Sequence, residues 1–352
     1  MAAVGVLLCV LAGASAGVAT ANPWLDNRFL NMAHQGGENE APSNTMYAFR
    51  SAVRERGADM LELDVHLTRD GHLVVLHDDT VNRTTEETRS RDSGFSQVRD
   101  LTLEQIQALD AAYTFRQTPP HYTKSAEFPE SDFVFRGIRA GDVRPPKGYK
   151  RKDFRIPRLK EVLDAFRDVP INIEIKMPKS QNPANPYPSG CTGLCDDLDL
   201  TSPTTKALAR LLSKKRYVSR DDLIVVSFAQ EPIEEFHALA PHVDLAASEP
   251  ALVDWALFDQ PLEPDPVAFQ VPPFFGGIDA PAFLLNNKRA HEQGYAVHVW
   301  TNGPGDETPE SYGRLIELGV DGIISSNPGR LHDFLCANGI PRPDGAQRCG
   351  AP

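Results

Sequence analysis

Residues 33–78 read AHQGGENEAPSNTMYAFRSAVRERGADMLELDVHLTRDGHLVVLHD, and this stretch decides the fold. It begins at the end of an apolar run, residues 29–33, which predicts a first strand with His34 just past its end. Ser43 stands as N-cap of a helix that carries Met46, Phe49 and Val53 on one face and ends at Gly57. Residues 60–67 and 73–76 predict two further strands, with Asp70-Gly71 as the turn between them. Strand, helix and strand in succession form the unit from which parallel sheets and barrels are built.

The polar residues of this unit sit in unusual places. Glu62 and Asp64 are two apart on one strand, so both face one side while Leu61, Leu63 and Val65 face the other. His34 and His77 stand at strand ends. In residues 171–176, Ile-Asn-Ile-Glu-Ile-Lys, Glu174 and Lys176 again share a strand face. Carboxylates aimed into a barrel core need partners, because an unpaired buried charge is costly. One reading pairs them with Lys176 or with arginines, the ordinary case for any one of them alone. The other has Glu62, Asp64 and Glu174 converge on one hard divalent cation, Ca²⁺ or Mg²⁺. An oxygen-only set disfavours zinc. His34 and His77 beside that cation suit general acid–base catalysis near neutral pH. His66, His72 and His298 read as ordinary core or surface residues.

Outward from this stretch the alternation continues. Strands are predicted over 171–176, 223–228, 243–247, 268–271, 296–301 and 322–325. A Thr-x-x-Gln capping box, Thr102 with Gln105, opens one helix. Pro157 opens another, with Leu159, Val162, Leu163 and Phe166 at helical spacing; Pro203, Pro281, Pro309 and Pro328 mark further first turns. The fold class is α/β, a (β/α)8 TIM barrel, and nine strand candidates for eight places leave one extra. Residues 80–156, between strand candidates 3 and 4, exceed an ordinary connection. Their part 113–155 mixes aromatics, prolines and basic residues, and reads as an inserted subdomain or lid that shapes the substrate site.

The 352 residues are 41% hydrophobic and 24% charged, which excludes a disordered chain and permits one large core. A formal net charge of −12 argues against non-specific binding to nucleic acid or anionic membranes. An anionic substrate therefore requires local positive charge, such as a metal. Residues 1–21 carry no charge and end in Ala19-Thr20-Ala21. They read as a secretory signal peptide cleaved after Ala21, leaving residues 22–352 as a secreted protein, extracellular or periplasmic. No later stretch is long and apolar enough to span a bilayer. Cys9 leaves with the signal. The four cysteines that remain suggest disulfides between Cys191 and Cys195 and between Cys336 and Cys349, the second tying down the tail at 336–352. A zinc site is the rival, but Cys-x3-Cys has no nearby His pair.

The ordered motifs resemble the glycerophosphodiester phosphodiesterase family over about residues 30 to 335. They are His34-Gln35-Gly36, Pro42-Ser43-Asn44-Thr45, Gly57-Ala58-Asp59, Glu62-Leu63-Asp64-Val65, Thr68-Arg69-Asp70-Gly71 and His77-Asp78. Ile156-Pro157-Arg158-Leu159, Glu174-Ile175-Lys176, Ser227-Phe228, Trp300-Thr301-Asn302 and Gly319-Val320-Asp321-Gly322 follow in family order. The resemblance implies a metal-dependent hydrolase that converts small glycerophosphodiesters to glycerol 3-phosphate and an alcohol. It implies Glu62, Asp64 and Glu174 as metal ligands, with His34 and His77 as the acid–base pair. It further implies Lys176 on a phosphate oxygen and Trp300 as a wall of the glycerol pocket. Attack by water and attack by the substrate's own glycerol hydroxyl, giving a cyclic phosphate, both remain open.

The chain departs from the family pattern at three places. Gln35 replaces the usual Arg, which removes a bidentate phosphate contact and leaves one amide donor. Ser43 replaces the usual Glu, and Ser325-Ser326-Asn327 stands where Thr-Asp is common. These departures bear on substrate identity. One alternative is a phospholipase D-like enzyme acting on lysophospholipids or sphingomyelin, which an apolar rim on 113–155 would favour. Another is a non-catalytic barrel that binds ligands. No G-x-S-x-G elbow, P-loop or dinucleotide-binding glycine motif is present.

Overall fold

The structure is a computed structural model that describes residues 22–26, 29–88, 96–177, 198–301 and 303–349. A short helix α1 (Pro23–Asp26) precedes β1 (Leu30–Ala33), α2 (Met46–Glu55), β2 (Met60–Leu67) and β3 (Leu73–Val75). Helices α3 (Leu103–Ala108) and α4 (Leu159–Ala165) lead to β4 (Ile171–Ile175), α5 (Leu198–Leu212), β5 (Leu223–Val226) and α6 (Gln230–Leu239). Then come β6 (Asp244–Leu245), α7 (Glu249–Phe258), β7 (Ala268–Val271) and a small hairpin, β8 (Phe274–Phe275) with β9 (Ile278–Asp279). The chain closes with α8 (Ala280–Ala282), β10 (Ala296–Trp300), α9 (Pro309–Leu318), β11 (Gly322–Ser325) and α10 (Pro328–Ala337).

Eight strands pair in parallel in the order β6-β5-β4-β2-β1-β11-β10-β7. A bridge between Ala246 and Ala268 joins the two ends of that path, so the sheet curls into a barrel. The extra strand candidate is β3: it folds back antiparallel on β2, Val65 opposite Val75, and takes no place in the barrel wall. Within the barrel, the long segment 80–156 consequently lies between the second and third strands, β2 and β4.

Alternation along each strand divides the core in two. Met32, Met60, Ile224, Ala268 and Ile324 fill the interior, and Trp24 of α1 closes one end by donating from Nε1 to Asp244 Oδ2 at 2.7 Å. Leu61, Leu63, Val65, Ile171, Ile173 and Ile175 face the surrounding helices. Burial on both faces explains why these strands read as nearly continuous apolar runs.

Several helix starts differ from the sequence reading, each for a local reason. The cap of α2 is Thr45, whose hydroxyl accepts from Ala48 N at 3.1 Å. Asn44 turns the chain at φ 56°, so no helix can begin at Ser43. Helix α4 starts at Leu159 because Pro157 is tied to the hairpin, its carbonyl accepting from Val75 N at 3.0 Å. Pro203 lies inside α5 instead of in its first turn. The Thr102–Gln105 capping box and the prolines at the starts of α8, α9 and α10 stand as predicted.

The segment 113–155 packs Phe115, Phe135 and Phe154 around Tyr47 and Ala48 of α2. It is therefore built onto the flank of the first helix of the barrel. Cys336 and Cys349 form the disulfide expected at the tail, with Arg348 and Arg342 held on the buried carboxylate of Asp59. Cys191, Cys195 and residues 1–21 lie outside the described residues. No helix among the described residues is long and apolar enough to cross a membrane.

Candidate active site

The C-terminal ends of β1, β2 and β4, together with the end of the β2–β3 hairpin, bring His34, Glu62, Asp64, His77, Glu174 and Lys176 together. Parallel register places Asp64 directly opposite Glu174. One carboxylate oxygen from each of Glu62, Asp64 and Glu174 lies within 4.8 Å of the others. Asp64 is fully buried, and its Oδ1 accepts no hydrogen bond, while Asn44 Nδ2 donates to its Oδ2 at 2.9 Å. A buried, unsatisfied carboxylate oxygen facing two further carboxylates is a donor set suited to a hard cation, and the residues present fit that group.

Lys176 partly balances this charge. Its Nζ lies 2.9 Å from Glu174 Oε1 and 3.6 Å from Asp64 Oδ1. It also donates to His77 Nε2 at 3.1 Å, while His77 Nδ1 meets Asp78 Oδ1 at 2.7 Å. Burial and the neighbouring Asp64 carboxylate push the Glu62 carboxyl well above the usual carboxylate range. Asp64 is also buried, but the attraction of the His77 imidazole, when it carries a proton, and of the Lys176 ammonium outweighs that and holds its carboxyl low.

His34 is set differently. The turn after β1 passes through Gln35 at φ 51°, Gly36 at φ 81° and Gly37 at φ 88°. A Cβ on Gly37 would come within 2.7 Å of the Pro328 ring, so glycine alone fits there. This turn aims Gln35 N at Glu62 Oε2, 2.8 Å away, and leaves His34 Nε2 at 3.9 Å from the same oxygen. His34 Nδ1 meets Glu38 Oε1 at 2.5 Å, and Ser326 Oγ donates to that carboxylate at 2.7 Å. Burial disfavours charge on His34, but the carboxylates of Glu38 and Glu62 outweigh it and raise the imidazole to about 10.

Gln35 is buried with its Oε1 accepting from Ser43 Oγ at 2.9 Å and from Arg83 at 3.3 Å, its Nε2 3.5 Å from His34 Nε2. Trp300 is half-buried and meets Phe228 edge-on at 6.0 Å between ring centres. Phe228 and Trp300 line a cavity of about 1520 Å³ at the barrel mouth, together with His34, Glu62, His77 and Lys176. From the insertion, Gln117, Pro119, Pro120 and His121 reach that cavity. Its Tyr122 also clamps the His34 loop, accepting from Ser43 N at 2.8 Å and donating to Glu38 O at 3.0 Å.

The sequence reading did not single out Glu38, Asn44, Asp78 or Arg83. Asp78 had a legible signal, a carboxylate adjacent to a strand-end histidine. Glu38 reaches His34 only through the left-handed turn, and Arg83 reaches Gln35 only through the fold of the insertion.

Comparisons with known proteins agree with this geometry. Residues 34–330 match the profile of the glycerophosphoryl diester phosphodiesterase family. A glycerophosphodiester phosphodiesterase of Caldanaerobacter subterraneus is 30% identical over 88% of this chain and 99% of its own length. The lysophospholipase D GDPD1 of Homo sapiens is 28% identical over 88% of this chain and 87% of its own. In fold, the chain resembles an Oleispira antarctica phosphodiesterase solved in complex with the product sn-glycerol-3-phosphate. That likeness has a TM-score of 0.57 at 19% identity, covering 86% of this chain and 95% of that one. The chain belongs to the glycerophosphoryl diester phosphodiesterase family.

Proposed function

We propose that the protein is a secreted, divalent-cation-dependent phosphodiesterase that hydrolyses glycerophosphodiesters to glycerol 3-phosphate and an alcohol. The observation that carries this reading is the convergence of two histidines, three carboxylates and one lysine at one end of the barrel, where barrel enzymes place their chemistry.

Glu62, Asp64 and Glu174 would hold one Ca²⁺ or Mg²⁺. When bound, such an ion supplies electrostatic stabilisation of the negative charge on the phosphoryl oxygens. Lys176 would add a fixed positive charge at the same oxygens, and the Gln35 amide one hydrogen-bond donor. The two histidines are dressed for opposite tasks. His34 donates from Nδ1 to Glu38, a partner that favours the imidazolium, so His34 is the proton donor to the departing alkoxide. His77 donates from Nδ1 to Asp78, which leaves Nε2 unprotonated; that nitrogen, accepting from Lys176, is the one that would take up a proton, so His77 is the base. Trp300 would wall the glycerol pocket. The four insertion residues at the cavity would border the substrate.

Secretion rests on the uncharged apolar stretch at 1–21 and agrees with a disulfide between Cys336 and Cys349. Mass spectrometry of protein from the culture medium, beginning at Asn22, is the expected result; a cell-retained chain starting at Met1 contradicts it.

The test of the reaction is ³¹P NMR with glycerophosphocholine in the presence of Ca²⁺, Mg²⁺ or EDTA. Glycerol 3-phosphate is expected with a cation and absent with EDTA or in His34→Ala. An unchanged substrate signal under every condition would contradict the proposal.

A further inference from the structure

Glu307 stands in the segment between β10 and α9, at the edge of the barrel mouth and only 3% exposed. A carboxylate buried this far is costly unless hydrogen bonds satisfy it, and here each oxygen accepts two. Thr301 Oγ1 donates to Oε1 at 2.6 Å and Ser326 N at 2.7 Å. Ser325 Oγ donates to Oε2 at 2.8 Å, joined there by the hydroxyl of Tyr312. Ser326, the first residue past β11, is fixed in this way and turns its other two polar groups to the His34 loop. Its carbonyl accepts from Asn39 N at 3.1 Å, and its Oγ donates to Glu38 Oε1 at 2.7 Å. The same Oε1 meets His34 Nδ1 at 2.5 Å, whereas Glu38 Oε2 is buried with no hydrogen-bond partner among the described residues. Ser326 is therefore the anchor that sets which way the Glu38 carboxylate faces.

We infer that Glu307 is a positioning residue for His34: acting through Ser326 and Glu38, it fixes the imidazole with Nε2 turned towards Glu62 at the barrel mouth. The inference rests on the phosphodiesterase reading above, in which His34 is the proton donor. A glutamate that reaches a histidine across four residues has three side-chain torsions to hold, so it orients the ring only if something orients it. Ser326 Oγ supplies that hold, and it can do so only while the Ser326 backbone is itself fixed. A carboxylate that merely tied β10 to β11 would be served by Thr301 and Ser325, whose bonds stay at those strand ends. The bond from Ser326 N goes further, because it fixes the residue whose hydroxyl reaches Glu38. Proton transfer depends steeply on such placement, since a reacting group must stand within hydrogen-bond reach of the atom it serves.

The test is the ratio of kcat on glycerophosphocholine to kcat on the p-nitrophenyl ester of glycerol 3-phosphate, whose leaving group needs no proton. Measured on one preparation, this ratio does not depend on the fraction of folded enzyme, so a loss of stability alone leaves it unchanged. In Glu307→Gln and in Ser326→Ala it is expected to fall by about tenfold or more with KM little changed, because misplacing a reacting group can cost about 10²-fold. The double variant is expected to fall no further than the worse single one, since the two residues act in series. An unchanged ratio in the single variants, or losses that multiply in the double one, overturns the inference and leaves the phosphodiesterase reading intact. Should Glu307→Gln not fold, Ser326→Ala decides, because the coupling runs through its hydroxyl. If wild type turns over neither ester, or His34→Ala leaves the ratio unchanged, the reading of the site fails instead, and NMR of protein labelled with ¹⁵N-histidine decides the positioning. The His34 Nδ1–H resonance, assigned by its loss in His34→Ala, is expected in wild type and shifted or lost in Glu307→Gln and Ser326→Ala. The same resonance in all three proteins overturns the inference.

Discussion

Lys176 Nζ donates to His77 Nε2 at 3.1 Å while resting 2.9 Å from Glu174 Oε1, so one ammonium links the proposed base to the proposed cation site. Replacing it removes charge from the corner proposed to bind phosphate and frees the His77 ring to turn. Lys176→Met is expected to lower kcat on glycerophosphocholine by about 10²–10³-fold, the usual effect of losing one preorganised donor. Steady-state kinetics check this; a variant within threefold of wild type would remove Lys176 from the mechanism.

Three carboxylates within 4.8 Å repel one another, and a cation among them relieves that repulsion. Binding to the folded state alone stabilises it by mass action, by about 2.7 kcal/mol at a hundredfold excess over Kd. Differential scanning fluorimetry of EDTA-treated protein should therefore show a rise in Tm on adding Ca²⁺ or Mg²⁺. The rise should shrink or vanish in Asp64→Asn, and an equal rise in both proteins would place the cation elsewhere.

His298 points into the barrel interior, fully buried, with no hydrogen-bond partner at either ring nitrogen. Burial lowers its pKa from 6.5 to about 4. Between these values the unfolded chain takes up a proton that the folded protein refuses, so stability falls as pH drops through this window. At pH 5 the loss from this residue is about 2 kcal/mol relative to pH 7. Urea unfolding at the two pH values should show a pH-dependent loss smaller by that amount in His298→Leu; an identical loss would mean that the ring is protonated in the folded state.

The disulfide closes a loop with a sequence separation of 13, holding Arg348 against Asp59 at the base of β1 and β2. Cross-links of that span contribute about 3 kcal/mol. Cys336→Ser/Cys349→Ser is expected to lose about 2–3 kcal/mol of stability with unchanged kcat, because the tail lies away from the barrel mouth. An equal Tm for both proteins would show that the Arg348–Asp59 contact alone holds the tail.

Much of the fold was readable because strands buried on both faces leave continuous apolar runs, and Glu62, Asp64 and Glu174 interrupt those runs where an apolar residue would otherwise stand. The period-two rule then places Glu62 with Asp64 and Glu174 with Lys176 on shared faces, and the register that sets Asp64 opposite Glu174 follows from the barrel. The role of β3 was half readable: the Asp70-Gly71 turn marks a hairpin with β2, but the apolar content of β3 matches a barrel strand and left it among nine candidates for eight places. The apolar side of the barrel mouth was not readable. Nothing in one dimension marks Phe274, Phe275 and Ile278 as exposed; the hairpin turns them to the surface. The rim of 113–155 at the cavity carries Gln117, Pro119, Pro120 and His121, so it is not the apolar rim that would have favoured a lipid substrate; the apolar side chains at the mouth come from α7 and the β8–β9 hairpin.

The division of labour between His34 and His77 is the central mechanistic claim, and leaving-group dependence tests it most directly. Wild type, His34→Ala and His77→Ala would each be assayed on glycerophosphocholine and on the p-nitrophenyl ester of glycerol 3-phosphate, whose leaving group needs no proton. His34→Ala is expected to lose about 10²–10⁴-fold on the choline ester and little on the nitrophenyl ester, whereas His77→Ala loses a similar factor on both. Equal losses for His34→Ala on the two substrates, or selective rescue of His77→Ala, would contradict the assignment.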